Sequence, residues 1–346
     1  MASIEVITIN GYTAFEDVSV HVGFNEAAGS FSAKLAAELG ASATNRIFDV
    51  GTAVTITTNG ETLLTGHVDS KEPHIAAKEA YITISGRSKS ADLVDSSGKH
   101  ETGYFENKTP LEIGQAISQG IGAQWETDQQ LEKVEQYKLQ QGESCFRCVE
   151  KLARQQGMTI TGTAEGNARI TKAGSKRQAG SLVEGQNIKS GTAHHNGSNR
   201  HSTIIVRGQR PFGHGDENLQ IEATEQDGAV KRMRPLIIVQ DEDTDKQRAR
   251  KRAKNRKDRA AGNALKATIV VQGFHDDAGQ LWWAGNLVWT ESPFLDIAQD
   301  MLIESVDFNQ SDGGSISTLN LVDPRAYGGE GSAGSGNQSG GEWNMG

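Results

Sequence analysis

Only two cysteines stand in the 346 residues, Cys145 and Cys148, so no disulfide framework holds this chain and a reducing compartment is expected. Apolar runs are short as well. None approaches the ~18–20 residues needed to span a bilayer, and Met1-Ala2-Ser3-Ile4-Glu5 lacks the basic and apolar regions of a signal peptide. The expectation is a soluble protein, made and folded in cytoplasm, with no membrane insertion of its own. A basic excess is missing too: 35 Lys and Arg against 44 Asp and Glu leave a net charge of −9, which argues against a surface-wide nucleic-acid binder but not against a local patch. The chain contains no H-E-x-x-H, no G-x-S-x-G and no G-x-x-x-x-G-K-[ST]. Gly329-Glu330-Gly331-Ser332-Ala333-Gly334 matches G-x-G-x-x-G without the strand and helix that give that pattern meaning. No catalytic constellation emerges, and no metal or cofactor is expected.

What the chain has is glycine, 40 against six prolines, a balance that favours short strands joined by tight turns. It also has one stretch written twice. Val20–Leu35 reads V-H-V-G-F-N-E-A-A-G-S-F-S-A-K-L and Ser305–Leu321 reads S-V-D-F-N-Q-S-D-G-G-S-I-S-T-L-N-L. With Phe24-Asn25 aligned on Phe308-Asn309, both read as hairpins: an alternating strand, a small polar turn with Gly, then a strand opening Ser-apolar-Ser. The separation is far too wide for a solenoid period of ~20–50 residues. Two related domains in one chain are expected.

Residues 1–88 alternate as strands, with Asn59-Gly60 as a hairpin turn, and predict a first small β-barrel. Residues 89–178 turn helical. Thr109-Pro110-Leu111-Glu112 is a capping box with Pro at the first helical position, followed by an apolar stripe of Ile113, Ala116, Ile117 and Ile121. A second helix starts near Ser144 and stops at Gly157, and a short hairpin turns at Glu165-Gly166-Asn167. Residues 179–326 predict a second β-barrel, with Ser202–Gly208 as one of its strands and a hairpin of Ala267–Phe274 with Gln280–Ala284. An insertion at 209–266 holds one helix, capped by Thr244 with Gln247 and stopped at Gly262. Residues 327–346 predict a flexible Gly/Ser-rich tail. The fold class is therefore mainly β, with an α+β middle domain between two related small β-barrels, plus a helical insertion.

Cys145-Phe146-Arg147-Cys148 is half a zinc site without a second half, and the two thiols share a helix face with Leu152, so core packing is expected. His194, His195 and His201 fall in a Ser/Asn/Gly-rich loop. Trp282 and Trp283 would point to opposite faces of a strand, with Trp289 close by, at a core, domain interface or subunit interface. The sharpest charge feature is Lys246–Arg259, nine basic residues and one acidic, net +8 against −17 for the rest. Lys246, Arg248, Arg250, Lys251, Arg252, Lys254, Arg256, Lys257 and Arg259 are the candidate partner-docking residues. An alanine stripe, Ala249, Ala253, Ala260 and Ala264, lies on the other side. A solvated or intrachain helix, a docking face for an acidic partner, and a nucleic-acid contact are all open for it. Trp343, at the end of the Gly-rich tail, is a further docking candidate.

Three places carry a family resemblance: Ser85-Gly86-Arg87-Ser88 leading through Ala91-Asp92-Leu93-Val94-Asp95; Thr109–Ile113 followed by Cys145–Gly157; and Gly279-Gln280-Leu281-Trp282 leading to Ser317–Pro324. In order and spacing they resemble the baseplate hub proteins of contractile-tailed phages, the Mu-like type in particular, with relatives in the T-even hubs and the N-terminal part of type VI secretion spikes. The resemblance implies two β-barrels per chain and a homotrimer that joins the six-fold tail tube ring to the three-fold central spike among other baseplate proteins. It also implies a conduit through which DNA passes without specific binding, no enzymatic activity, and a location in the virion tail baseplate after assembly in the host cytoplasm. A nucleic-acid-binding protein acting through 246–259 is the alternative. A tail-borne wall hydrolase would need a paired-carboxylate cleft, and no sequence pattern singles out such a pair.

Overall fold

The computed structural model describes residues 5–36, 47–77, 79–208, 221–240 and 245–329. Six strands form the first part: β1 (Ile7–Ile9), β2 (Asp17–Gly23), β3 (Ser30–Ala36), β4 (Ala53–Thr58), β5 (Glu61–Ile75) and β6 (Ala80–Ser88). They pair in the order β1-β4-β5-β6-β3-β2. The β4–β5 turn forms because Asn59 and Gly60 both adopt positive φ, 48° and 86°, as a two-residue hairpin with strand-matching twist requires.

The middle part comprises α1 (Ala91–Asp95), β7 (Tyr104–Lys108), α2 (Pro110–Ile117), β8 (Trp125–Thr127), β9 (Val134–Lys138), α3 (Cys145–Gln155), β10 (Thr159–Gly162) and β11 (Ala168–Thr171). The Thr109 hydroxyl accepts from Glu112 N while the Glu112 carboxylate accepts from Thr109 N, so the capping box is complete. Ser144 caps α3 by accepting from Arg147 N. Ile113, Ile117, Val149, Leu152 and both cysteines bury in one cluster with Trp125 and Ile160. Cys145 and Cys148 are core residues, and burial pushes the Cys148 thiol up to about 11. Strands β7, β8 and β9 were not expected from the sequence.

The chain then forms β12 (Lys176–Val183), β13 (Ile188–His195), β14 (Thr203–Gly208), β15 (Ile221–Gln226), β16 (Pro235–Gln240), α4 (Lys246–Gly262), β17 (Leu265–Gln272), β18 (Asn286–Ser292), β19 (Ile297–Ser311) and β20 (Gly314–Val322), closing with a 3₁₀ turn at Pro324–Tyr327. Four expectations change here. Strand β14 is not part of the second β unit; it is the centre of a separate three-stranded sheet, β15-β14-β16, so the insertion holds two strands besides its helix. His194 and His195 end β13, opposite Lys266 and Leu265, rather than lying in a loop. Residues 281–284 form no strand, because the Asp276 carboxylate accepts from Ala278 N and Gln280 N and shapes a loop there, with a single bridge from His275 to Leu281. Trp282 is buried from that loop and Trp283 packs against the same core. The cap of α4 is Asp245, whose side chain accepts from Arg248 N, and Thr244 lies outside the described residues.

The two hairpins written twice are β2–β3 and β19–β20, and they meet edge to edge. Strand β2 runs antiparallel to β19 from Asp17 opposite Ser311 to Gly23 opposite Ser305. The ladder sets Val20 against Phe308. All strands except those of the middle part and of the β15-β14-β16 sheet thereby join one 12-stranded sheet, six strands on either side of the β2–β19 ladder. One hydrophobic cluster runs across that joint, from Ile7, Val20 and Leu64 to Val271, Met301 and Leu319. Among the described residues no helix is long and apolar enough to cross a membrane.

Candidate interaction surfaces

The joint between the two β halves carries an ion cluster. His21 on β2 faces Asp307 directly across the ladder. Its Nδ1 lies 2.6 Å from Asp307 Oδ1 and its Nε2 lies 3.1 Å from Glu26 Oε2. Ionised carboxylates only accept, so both ring nitrogens donate and the imidazole is protonated. Hydrogen bonds to Asp307 and then Glu26 raise its pKa from 6.5 to about 10. The folded state keeps this proton up to about pH 10, whereas the unfolded chain releases it near 6.5. The stabilisation is complete below pH 6.5 and fades as pH rises toward 10. Denaturant titrations at both pH values should show the wild type losing more stability over that interval than His21→Gln. Parallel pH dependences would show that the cluster contributes nothing.

The turn that follows β2 docks the middle part. Gly162 N donates to Glu26 O at 2.9 Å, Thr159 Oγ1 donates to Asn25 Oδ1 at 2.7 Å, and Ala27 sits in the middle cluster. Phe24 turns the other way, onto Tyr327 at 5.5 Å between ring centroids. One turn of the first hairpin thus touches all three parts of the chain.

Helix α4 is amphipathic through alanine. Ala249 and Ala253 bury against Ile204, Val206, Ile221 and Ala223 of the insertion sheet, and Ala260 is buried nearer the C-terminus. Gly262 ends the helix for a reason of space: a Cβ there would lie 2.1 Å from Ala326 N, so the helix end sits directly on the 3₁₀ turn. Arg250 and Lys257 reach Glu225 of β15 at 3.5 and 3.2 Å, and Arg248 reaches Asp245 at 3.6 Å. Lys246, Lys251, Arg252, Lys254, Arg256 and Arg259 are exposed and make no ion pair among the described residues. Gln247, Arg250, Lys251, Lys254 and Glu225 line a shallow groove of about 520 Å³. The structure therefore gathers the nine basic candidates on one rigid helix, while Trp343 lies outside the described residues.

Several exposed apolar side chains escaped the sequence reading. Met233 is 93% exposed, and Ile237 and Val239 of β16 are 50% and 66% exposed on the strand face away from buried Ile204 and Val206. Phe294, at the tip between β18 and β19, is 89% exposed. The short apolar, β-branched run Leu236-Ile237-Ile238-Val239 was the available signal for β16; nothing local marks Phe294.

Comparison with known proteins gives consistent matches along the chain. The profile of the N-terminal domain of Mu phage baseplate assembly protein GpP-like sequences matches residues 5–88. That of the second domain of baseplate hub protein gp44-like sequences matches 90–172, and that of the fourth domain of GpP matches 245–330. The chain is 25% identical over 288 residues to the baseplate hub protein gp44 of Escherichia phage Mu, over 80% of this chain and 76% of that protein. Its fold is similar to the 43 kDa tail protein of prophage MuSo2 from Shewanella oneidensis, with a TM-score of 0.79 and 28% identity over 93% of this chain and 99% of that one. A tail protein from Neisseria meningitidis MC58 shares the fold at a TM-score of 0.73 and 18% identity, over 93% of this chain and 98% of that one. The E. coli c3393 protein, a component of the type VI secretion system, shares it at 0.56 and 10%, over 91% of this chain and 76% of that one.

Proposed function

We propose, from the premise that this chain belongs to the baseplate hub proteins of Mu-like contractile-tailed phages, that three copies close into a ring joining the six-fold tail tube to the three-fold central spike. The observation that carries the reading is the 12-stranded sheet divided six and six about the β2–β19 ladder. A single β unit per chain would need a hexamer to match a six-fold tube. Two units per chain let a trimer present six similar edges upward and three identical sites downward. The partners are then the tube ring, the spike and other baseplate proteins, and the ring assembles in the host cytoplasm before it becomes part of the virion. The relatives at 25% and 28% identity are a baseplate hub protein and a phage tail protein, which supports a structural rather than an enzymatic role.

The acidic balance supports a conduit. With 44 acidic residues to 35 basic, a lumen faced by this surface repels phosphates and lets DNA slide without specific binding. Sedimentation of the purified chain at several concentrations tests the ring. A mass of three chains, alone or once the spike protein is added, is the expected result. A monomer that persists in the presence of both tube and spike proteins would overturn the reading.

A further inference from the structure

We propose that opposite ends of the β12–β18 strand pair join in neighbouring copies of this chain, the Phe294 tip of one seating in the Trp283 groove of the next; closure of that contact into a ring rests on the trimer proposed above. The tip is a built feature. The Glu184 carboxylate accepts from Ser292 Oγ at 2.5 Å and from Phe294 N at 3.1 Å. The Ser292 hydroxyl accepts from Leu295 N at 3.2 Å, and His195 Nε2 lies 2.9 Å from Leu295 O. Leu295 packs on the core, while Phe294 is held outward, 89% exposed. A side chain fixed before binding loses little entropy on docking, and aromatic anchors carry a large share of interface energy.

The groove that answers it lies at the other end of the same strands. Strands β12 and β18 run parallel, from Lys176 opposite Asn286 to Val183 opposite Glu291, so their starts and finishes stand about 20 Å apart. At the start is a groove of about 550 Å³ with Trp283, Ala164 and Ala278 as apolar walls and Arg169, Glu61 and Glu165 among its polar groups. Glu61 is engaged by His275 at 3.3 Å. The grooves beside Glu5 and Glu225 have no apolar side chain in their walls. Asn286 N donates to Trp283 O at 3.4 Å, which places Lys176 beside the Trp283 groove. Charge agrees with shape. Lys172 and Lys176 are exposed at the groove end, Glu291 and Asp296 at the tip end, and none of the four makes an ion pair among the described residues. Two tips or two grooves would oppose like charges, which disfavours a two-fold pair. A tip in a groove is heterologous and propagates head to tail until it closes.

The test is a cross-link between copies. In a chain carrying both Phe294→Cys and Ala278→Cys the new thiols stand at opposite ends of β18, too far apart to bond to each other, since a disulfide needs Cα atoms within ~7 Å. The native Cys145 and Cys148 are buried. Mild oxidation, with the spike protein added where the ring needs it, should give covalent pairs and triples on a non-reducing gel. A mixture of the two single variants should give pairs only. Phe294→Ser, at an exposed position, should keep the wild-type circular dichroism spectrum and melting midpoint while weakening the contact in sedimentation by about tenfold or more. A trimer that forms without cross-links and ignores Phe294→Ser would overturn the contact and leave the ring standing. A ladder running past three chains keeps the contact and overturns the closed ring. A chain that stays monomeric with tube and spike proteins removes both. A Phe294→Ser trimer that stays intact but no longer binds the spike or tube protein assigns the tip to that partner and likewise overturns the inference.

Discussion

Gly86→Ala should lower the melting midpoint by roughly 4 °C, the equivalent of about 3 kcal/mol in a protein of 346 residues. The glycine is not there for a left-handed backbone; it is there for space. A Cβ at Gly86 would lie 2.0 Å from His67 O and 2.7 Å from the Phe31 ring. The first of these is backbone and cannot rotate away. The approach arises at the β5–β6 irregularity, where Val68 faces Gly86 but Ser70 faces Ser85. Gly66 repeats the arrangement from the other strand, since a Cβ there would lie 1.9 Å from Arg87 O. The flanking residues fasten the first β half to the middle part. Arg87 donates to Asp69 at 2.7 Å and to Asp95 at 2.9 Å, while the Ser88 hydroxyl accepts from Gly29 N and pairs with Ser90. Widening the strand gap therefore displaces Arg87 and Ser88 together. Gly197→Ala, at a position with open space around it, should stay within about 0.5 kcal/mol. Equal midpoints for the two variants would mean that the β5–β6 approach is looser than the geometry indicates.

The Ser85-Gly86-Arg87-Ser88 junction was legible as a family mark, but its physical reason was not, because His67 and Phe31 reach Gly86 from other strands. The same divide runs through the fold. Elements whose signals are local were readable: the Asn59-Gly60 turn, the Thr109–Glu112 box, the Ser144 cap and the Gly157 stop, which adopts φ +72°. Strands β12 and β13 were not. Lys176–Val183 and Ile188–His195 bury few side chains and show no clean alternation. They are strands because β18 and β17, roughly 75–110 residues later, offer them ladders. Leu281–Ala284 failed in the opposite sense: its apolar residues do face the core, but from a loop that Asp276 holds. The repeat was visible as two hairpins, yet their edge-to-edge pairing was not, because the ladder partner of β2 lies near the other end of the chain. On α4 the exposed cations followed from the spacing of Ala249, Ala253 and Ala260. Glu225, which claims Arg250 and Lys257, belongs to a strand that was not expected at all.

The joint between the two β halves yields the other large effect. Phe308 is fully buried, packs edge to face on Phe274 with centroids 5.6 Å apart, and stands opposite Val20 of β2 and Ser317 of β20. Phe308→Ala should cost about 3–5 kcal/mol, the usual price of emptying a closed core site. Where that loss appears is the informative part. If one cluster unites the halves, as the shared membership of Ile7, Leu64, Met301 and Leu319 in it indicates, amides of β4, β5 and β6 should lose hydrogen-exchange protection together with those of β17 and β20. Those of α2 and α3 should keep theirs, because Ile113, Val149 and Leu152 belong to a separate cluster. Loss confined to β17–β20 would mean that the halves fold as independent barrels and that the β2–β19 ladder is only a contact between them. A ring built from such chains would flex at six joints. One built from fused halves would flex at three, between subunits, and would pass the displacement of the spike to the tube with little lost inside each chain.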